Sequence, residues 1–296
     1  MSLDQVKQFF AEEIRVVANI RTPAIVAALA KVPREAFLGS GPWQIPVLDT
    51  SSATIGGGYG ANKYRSTDDA DPRHLYHNCP IAIDPSRNLN NGQPASLASW
   101  IEALELRDGD HAVHIGCGVG YYTAIIAEVV GPNGRVIGVE IDPDLAARSQ
   151  QNLSSYSSVE VIEASGAEYQ PPEVDAIFVN AGATHARAAW IQALRPGGRL
   201  LFPLTIGSNP EGHGGGFMIL VRREEGGYSV RFVSSVMIFP CIGTRDEESN
   251  QKLLQAVQRG TWSTVRSLRV DEHEPGETCW LHGEGVCLST EPFQSD

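Results

Sequence analysis

Between Ala95 and Glu224 the chain alternates two kinds of apolar run, and this alternation limits its possible folds more than any other feature. Runs with helical spacing ("ASLASWIEALEL", "YYTAIIAEVV", "PDLAARSQQNL", "ARAAWIQAL") are interleaved with short β-rich runs ("HAVHIG", "GRVIGVEID", "VEVIEA", "VDAIFVN"). Parallel strands of one sheet need crossover connections, so the order predicts a mostly parallel sheet covered by helices on both faces. After a turn at "RPGG", the runs "RLLFPLT" and "FMILVRRE" have no helix between them and are expected as an antiparallel pair joined by "IGSNPEGHGGG". A strand in "SVRFVSSVMIF", a helix in "DEESNQKLLQAVQ" and a hairpin in "TCWLHGEGVCLS" complete the pattern. The expected class is α/β: a doubly wound, Rossmann-like sheet with an antiparallel end, an N-terminal helical segment and a C-terminal extension.

The first 38 residues read as helices, with Phe9, Phe10, Ile14 and Val17 on one face and Ile25, Val26, Leu29 and Val32 repeating the spacing. Residues 39–80 are rich in Gly, Pro, Ser and Asp and are expected to form a long irregular connection. The expected units are therefore 1–80, 81–258 and 259–296. A formal charge of −12 with no basic run argues against a nucleic-acid partner. No apolar run approaches the ~20 residues of a membrane span, and "MSLDQVKQFFAEEI" is an acidic amphipathic helix rather than an export signal. A cytoplasmic protein is expected. The five cysteines are scattered with no Cys-x2-Cys pair, so no zinc knuckle, disulfide framework or bound metal is expected. His74 and His77 beside Cys79 read as solvated loop residues, and His114, inside a strand, as a core or cleft residue.

The stretch "VHIGCGVGYY" places Gly116, Gly118 and Gly120 between a strand and a helix. A helix N-terminus presents unpaired N–H groups and positive partial charge, and small residues let a ligand reach the backbone. A dinucleotide turn requires Gly-x-Gly-x-x-Gly; here the third glycine comes one residue early and Tyr121 takes its place. An acid, Glu140, ends the next strand, where a carboxylate can accept from the hydroxyls of a ribose. Gly-x-Gly-x-Gly followed by such an acid is the pattern of S-adenosylmethionine-dependent methyltransferases of this fold.

The sequence resembles the protein-L-isoaspartate O-methyltransferase family from about Val6 to about Leu254. "AALAKVPREAFL" resembles that family's valine-proline-arginine-x-x-phenylalanine signature, and "LRDGDHAVHIGCGVGYYTAIIAEVVGPNGRVIGVEID" its cofactor motif. The segments "VEVIEASGAEYQPPEVDAIFVNAGATHARAAWIQALRPGGRLLFPL" and "SVMIFPCIGTRDEE" continue the likeness. The resemblance implies a methyltransferase that uses S-adenosyl-L-methionine and acts on isoaspartyl residues of proteins or peptides. It further implies cofactor contacts at Ile115, Gly116, Cys117, Gly118, Gly120, Glu140, Ile141, Ser165, Gly166 and Asn180.

Two positions depart from the family. Ala164-Ser165-Gly166 stands where relatives carry Gly-Asp-Gly, which replaces a carboxylate with a hydroxyl. Aligned on Pro94, the Thr-x-Ser-x-Pro element becomes "NLNNGQP", with Asn90 at the threonine and Gly92 at the serine. Asn90, Asn91 and Gln93 are the candidates to replace the lost hydroxyl, and Gly92 is expected to enlarge the space. Methylation of a carboxylate, anionic at neutral pH, needs alignment and desolvation but no general base. The departures keep open a different acceptor, such as a small carboxylate molecule or one particular peptide, or cofactor binding without turnover. Residues 55–80, with Tyr59, Lys63, Tyr64, Arg65, Arg73 and His74, are expected to close over an anionic acceptor.

Overall fold

The computed structural model describes residues 1–48, 59–207, 213–283 and 285–293. Helix α1 (Leu3–Val17) opens with a capping box in which Ser2 and Gln5 satisfy each other's backbone amides. It packs with α2 (Pro23–Lys31) through Phe10, Ile14, Ile25 and Leu29. Phe9 and Val17 lie outside this contact, 68% and 59% exposed, so the apolar face is narrower than the spacing suggested.

The described residues of 39–80 are more ordered than the composition implied. Strands β1 (Gln44–Leu48) and β2 (Tyr59–Ser66) form an antiparallel ladder. It is closed by Trp43 and Thr67, whose backbone N–H groups bond reciprocally to Thr67 Oγ1 and the Trp43 carbonyl at 3.0 and 2.8 Å. Residues 49–58, which include the first four residues of the expected acceptor loop, lie outside the described residues. Fully buried Arg34 organises residues 75–79. Its guanidinium donates to the carbonyls of Leu75, His77 and Cys79 and lies over the rings of Phe10 and Tyr121, so it acts as a clamp on the chain entering the site. A small pair, β3 (Ala82–Asp84) with β4 (Leu89–Asn90), leads into α3 (Pro94–Ala103).

The central sheet then builds as expected. β5 (His111–Ile115), α4 (Tyr121–Val130), β6 (Arg135–Glu140), α5 (Pro143–Asn152) and β7 (Val159–Glu163) run outward in one direction. β8 (Val174–Val179) returns to the other side of β5, and α6 (Ala188–Gln192) leads to β9 (Leu194–Ile206). β10 (Gly214–Glu224) is antiparallel to β9, β11 (Gly227–Ile238) is antiparallel to β10, and α7 (Glu247–Arg259) comes next. The "RPGG" turn is a bulge within β9: Val174 pairs with Leu194 but Ala176 with Arg199. Alternate residues of the parallel strands enter two cores. Ala112, Val136 and Phe178 join α1–α4, while Val113, Ile137 and Ile177 join Trp190 of α6 and Leu253 of α7. This two-sided burial explains why those strands are almost continuously apolar.

The C-terminal residues do not form a separate appendage. β12 (Ser267–Arg269), β13 (Cys279–Gly283) and β14 (Val286–Ser289) extend the sheet beyond β11, giving ten strands in the order β13-β14-β12-β11-β10-β9-β8-β5-β6-β7. Among the described residues no helix is long and apolar enough to cross a membrane.

Candidate active site

Strand order reverses between β5 and β8, and in such sheets ligands bind beyond the strands' carboxyl ends at that point. A cleft of about 690 Å³ lies there, within the ~300–1,000 Å³ typical of small-molecule sites. Its floor is the glycine turn. Gly116, Gly118 and Gly120 all have positive φ (74°, 57° and 92°), which L side chains resist. Their surroundings differ. A Cβ on Gly120 would stand 2.7 Å from Ser149 Oγ and 2.8 Å from Leu153 Cδ1, so this glycine lets α4 approach α5. A Cβ on Gly116 would meet the Asn180 carbonyl oxygen at 3.3 Å, whereas one on Gly118 would meet nothing within 4 Å. Gly118 is the position that opens to a ligand.

Glu140 is buried beneath the turn with its carboxylate held by backbone amides. Oε2 accepts from Gly118 N at 2.8 Å, and Oε1 from Ile141 N and Asp142 N at 2.9 and 3.1 Å. A carboxylate offers about four acceptor positions, so Oε2 keeps capacity for a donor from the cleft. The nearby Arg87 guanidinium pairs instead with Asp142, at 2.7 Å. Ile141, 40% exposed, presents an apolar surface at the cleft rim. Cys117 lines the turn, but its thiol points inward to Ser149 Oγ, 3.7 Å away, and burial pushes its pKa up to about 12. Ile115 and Asn180 complete the floor, the Asn180 amide donating to the Ile115 carbonyl at 2.8 Å.

The Ala164-Ser165-Gly166 turn meets the cleft through Ala164 and Gly166. The Ser165 hydroxyl accepts from Ala167 N at 3.3 Å within its own turn. Gly166 is required by packing, since a Cβ there would lie 2.2 Å from Ile115 Cγ2.

The opposite wall is the "NLNNGQP" segment. Asn90 Oδ1 accepts from Gly92 N at 2.9 Å, and Asn91 Oδ1 from Ile81 N at 2.7 Å. Asn91 Nδ2 is buried with no hydrogen-bond partner among the described residues, and Asn91 and Gln93 both line the cleft. Gly92 does not enlarge the space as expected. Its φ is +77° and a Cβ would stand 2.6 Å from Leu97 Cδ2, so Leu97 fills the position where a side chain would project.

Several cleft residues had no clear sequence signal. Tyr121 and Tyr122 come directly after the last glycine, line the cleft and carry buried hydroxyls without partners among the described residues. Burial pushes the Tyr121 phenol up to about 12 and Tyr122 higher. Their position on the first turn of α4 was the only available sign. Trp100, which donates to Ser234 Oγ at 3.0 Å, Arg87, His213 and residues 235–242 also border the cleft. In contrast, Arg73 pairs with Asp71 and His74 with Asp69, and no residue of 64–80 lines the cleft. Among the described residues that line the cleft, Arg87 carries the one guanidinium or ammonium group. His114 is a core residue, with Nδ1 2.9 Å from Thr123 Oγ1 and its ring stacked on Phe178.

Comparison with known proteins agrees with this geometry. The model of the protein-L-isoaspartate(D-aspartate) O-methyltransferase family matches residues 62–246, more than half of the chain. Protein-L-isoaspartate O-methyltransferase 2 of Archaeoglobus fulgidus is 29% identical over 79% of this chain and 94% of its own length. The protein of the same name in Pelobacter propionicus is 31% identical over 76% and 85%. A solved structure from Plasmodium falciparum, described as a candidate enzyme of this kind in complex with S-adenosyl-L-homocysteine, superposes with a TM-score of 0.56. It has 17% identity and covers 79% of this chain and 97% of that one, which supports the fold. With the match spanning both the glycine turn and the "NLNNGQP" wall of the cleft, the chain belongs to the protein-L-isoaspartate(D-aspartate) O-methyltransferase family.

Proposed function

We propose that this chain methylates the free carboxylate of isoaspartyl residues in proteins or peptides. It is an S-adenosylmethionine-dependent methyltransferase, and the amide-held Glu140 beneath the open Gly118 is the observation that carries the reading. The donor set fits the cofactor: an acceptor for a sugar hydroxyl in Glu140, an apolar rim at Ile141 and a turn that admits a ligand at Gly118. Bound there, the cofactor supplies a methyl group activated by its sulfonium charge.

The acceptor carboxylate is already anionic, so none of the chain's residues needs to remove a proton. Transfer of that methyl group from a cationic sulfonium to an anionic carboxylate would cancel two opposite charges. A poorly solvated site favours such a step, because it withholds the water that stabilises the separated charges. Trp100, Tyr121, Tyr122 and Leu97 supply apolar walls to that end. Asn91 Nδ2 is a donor without a partner among the described residues that would orient the acceptor's carboxylate, and Arg87 would draw that anion to the mouth.

Incubation with methyl-labelled cofactor and an isoaspartyl peptide beside its aspartyl counterpart tests the reading. Base-labile label on the isoaspartyl peptide alone is expected. A second reading, favoured by Gly92 in place of the family serine, keeps the cofactor but takes another acceptor, such as a small carboxylate. Cofactor binding without label on either peptide contradicts the first reading and leaves the second, or binding without turnover.

A further inference from the structure

The C-terminal extension carries four metal-type donors that the methyl-transfer site does not use. His273, Cys279, His282 and Cys287 place one ligand atom each within 4.8 Å of all the others. We propose that they form a structural site for one tetrahedral divalent cation of zinc type, which fixes the added strands to the sheet.

The geometry arises from the hairpin's register. His282 stands opposite Cys287, and Cys279 opposite Ser289. In an unbroken strand Cys279 and His282, three apart, would face opposite sides. A register shift between Cys279 and Leu281 inserts Trp280 as an extra residue, which reverses the phase and brings both donors to one face. Trp280 turns into the core, its indole donating to the Gly260 carbonyl at 2.9 Å. His273 arrives from the segment between β12 and β13, where its Nδ1 is 2.9 Å from the Asp271 carbonyl. That contact directs Nε2 to Cys279 Sγ, 3.5 Å away. Asp271 is itself held by Arg269 at 2.6 Å. An outer partner of this kind sets the tautomer of a metal-bound histidine.

Two further contacts suit a metal. The Gly276 amide donates to Cys279 Sγ at 3.4 Å, which stabilises a thiolate, and His282 Nδ1 is buried without a hydrogen-bond partner among the described residues. Zinc–sulfur and zinc–nitrogen bonds of about 2.3 and 2.0–2.1 Å give a tetrahedron with edges of roughly 3.3–3.8 Å. The present spacing needs only slight contraction to match it. Four protein ligands leave no open position, so the role is structural rather than catalytic. Binding ionises both thiols and releases two protons. The sequence expectation of no metal rested on Cys-x2-Cys spacing; the pattern here is His-x5-Cys-x2-His-x4-Cys, with the histidines interleaved.

The test is metal content of the purified full-length protein after dialysis against a chelator and gel filtration, then cobalt substitution. One zinc per chain is expected, and the cobalt form should show the visible bands of a tetrahedral thiolate site. Cys279→Ser with Cys287→Ser should lose the metal, and His282→Asn alone should weaken retention at least tenfold, which guards against misfolding of the double variant. Cys79→Ser should retain it. Less than one-tenth equivalent of zinc in wild type even after reconstitution, metal unaffected by the double variant, or a Cys279–Cys287 disulfide in the purified protein under reducing conditions would each overturn the proposal.

Discussion

The Gly118 amide donates to Glu140 Oε2 at 2.8 Å, joining the turn after β5 to the acid that ends β6. The contact orients the carboxylate beneath Gly118, where an added Cβ would meet nothing within 4 Å. Hydrogen bonds to a charged group are worth about 1.5–3 kcal/mol each. Glu140→Gln preserves shape but removes the charge and turns an amide donor against backbone N–H groups. Its cofactor Kd is expected to rise at least about tenfold, with stability falling by about 2 kcal/mol. Calorimetric titration with S-adenosylhomocysteine and urea unfolding measure the two effects.

The glycines should separate by experiment. Gly118→Ala meets no atom within 4 Å, so only its φ of +57° costs stability, about 1–2 kcal/mol. Gly120→Ala adds overlap with Ser149 and Leu153 and should cost clearly more. Cofactor affinity, measured on folded protein, is expected to fall further in Gly118→Ala than stability alone implies. Equal ranking of the two variants in both measurements would mean that the turn serves packing only.

Restoring the family serine is expected to fail. Gly92→Ser places a Cβ 2.6 Å from Leu97 Cδ2 on a backbone with φ +77°, and strain of this kind costs about 1–3 kcal/mol. Activity toward an isoaspartyl peptide should drop, and Gly92→Ser with Leu97→Ala should recover part of the stability. A more active and equally stable single variant would contradict the described backbone.

Arg87→Ala should separate binding from stability. The pair with Asp142 is half exposed on the arginine side, and such pairs contribute about 0–1 kcal/mol. The melting temperature should barely move, while KM for the acceptor rises several-fold and KM for the cofactor changes less. The contrary ranking would place Arg87 on the cofactor side.

His114 makes stability acid-sensitive. Burial pushes its pKa down to about 3, below the ordinary 6.5, so the unfolded chain binds more protons between those values. Its contribution is fully present above about pH 6.5 and is lost as pH falls toward 3, by up to about 1.4 kcal/mol per unit. His114→Phe, whose ring can remain stacked on Phe178, should flatten that slope in urea unfolding from pH 7 to 4. An unchanged slope would show that other groups carry it.

The alternating runs from Ala95 to Glu224 were legible because burial on two faces forces apolar strands between amphipathic helices. Gly118, Glu140 and Ile141 were legible because their spacing is local. Arg87, Tyr122 and Trp100 were not, since only tertiary packing brings them to the cleft. The pairing of β1 with β2 was hidden because Gly-, Pro- and Ser-rich composition masks short strands that pair across a long stretch of sequence. The Gly-rich connection "PEGHGGG" lies partly outside the described residues, although His213 borders the cleft. Ser165 and Gly92 each align with a family residue, but the hydrogen bond that Ser165 accepts within its own turn and the positive φ of Gly92 come from the local backbone, which alignment alone does not give.

A crystal structure with S-adenosylhomocysteine shows directly whether Glu140 holds the nucleoside. The nucleoside is expected over Gly118, with a ribose hydroxyl within hydrogen-bond distance of Glu140 Oε2 and the adenine against Ile141. A ligand seated elsewhere at saturating concentration, with Glu140 turned away from the cleft, would contradict the account.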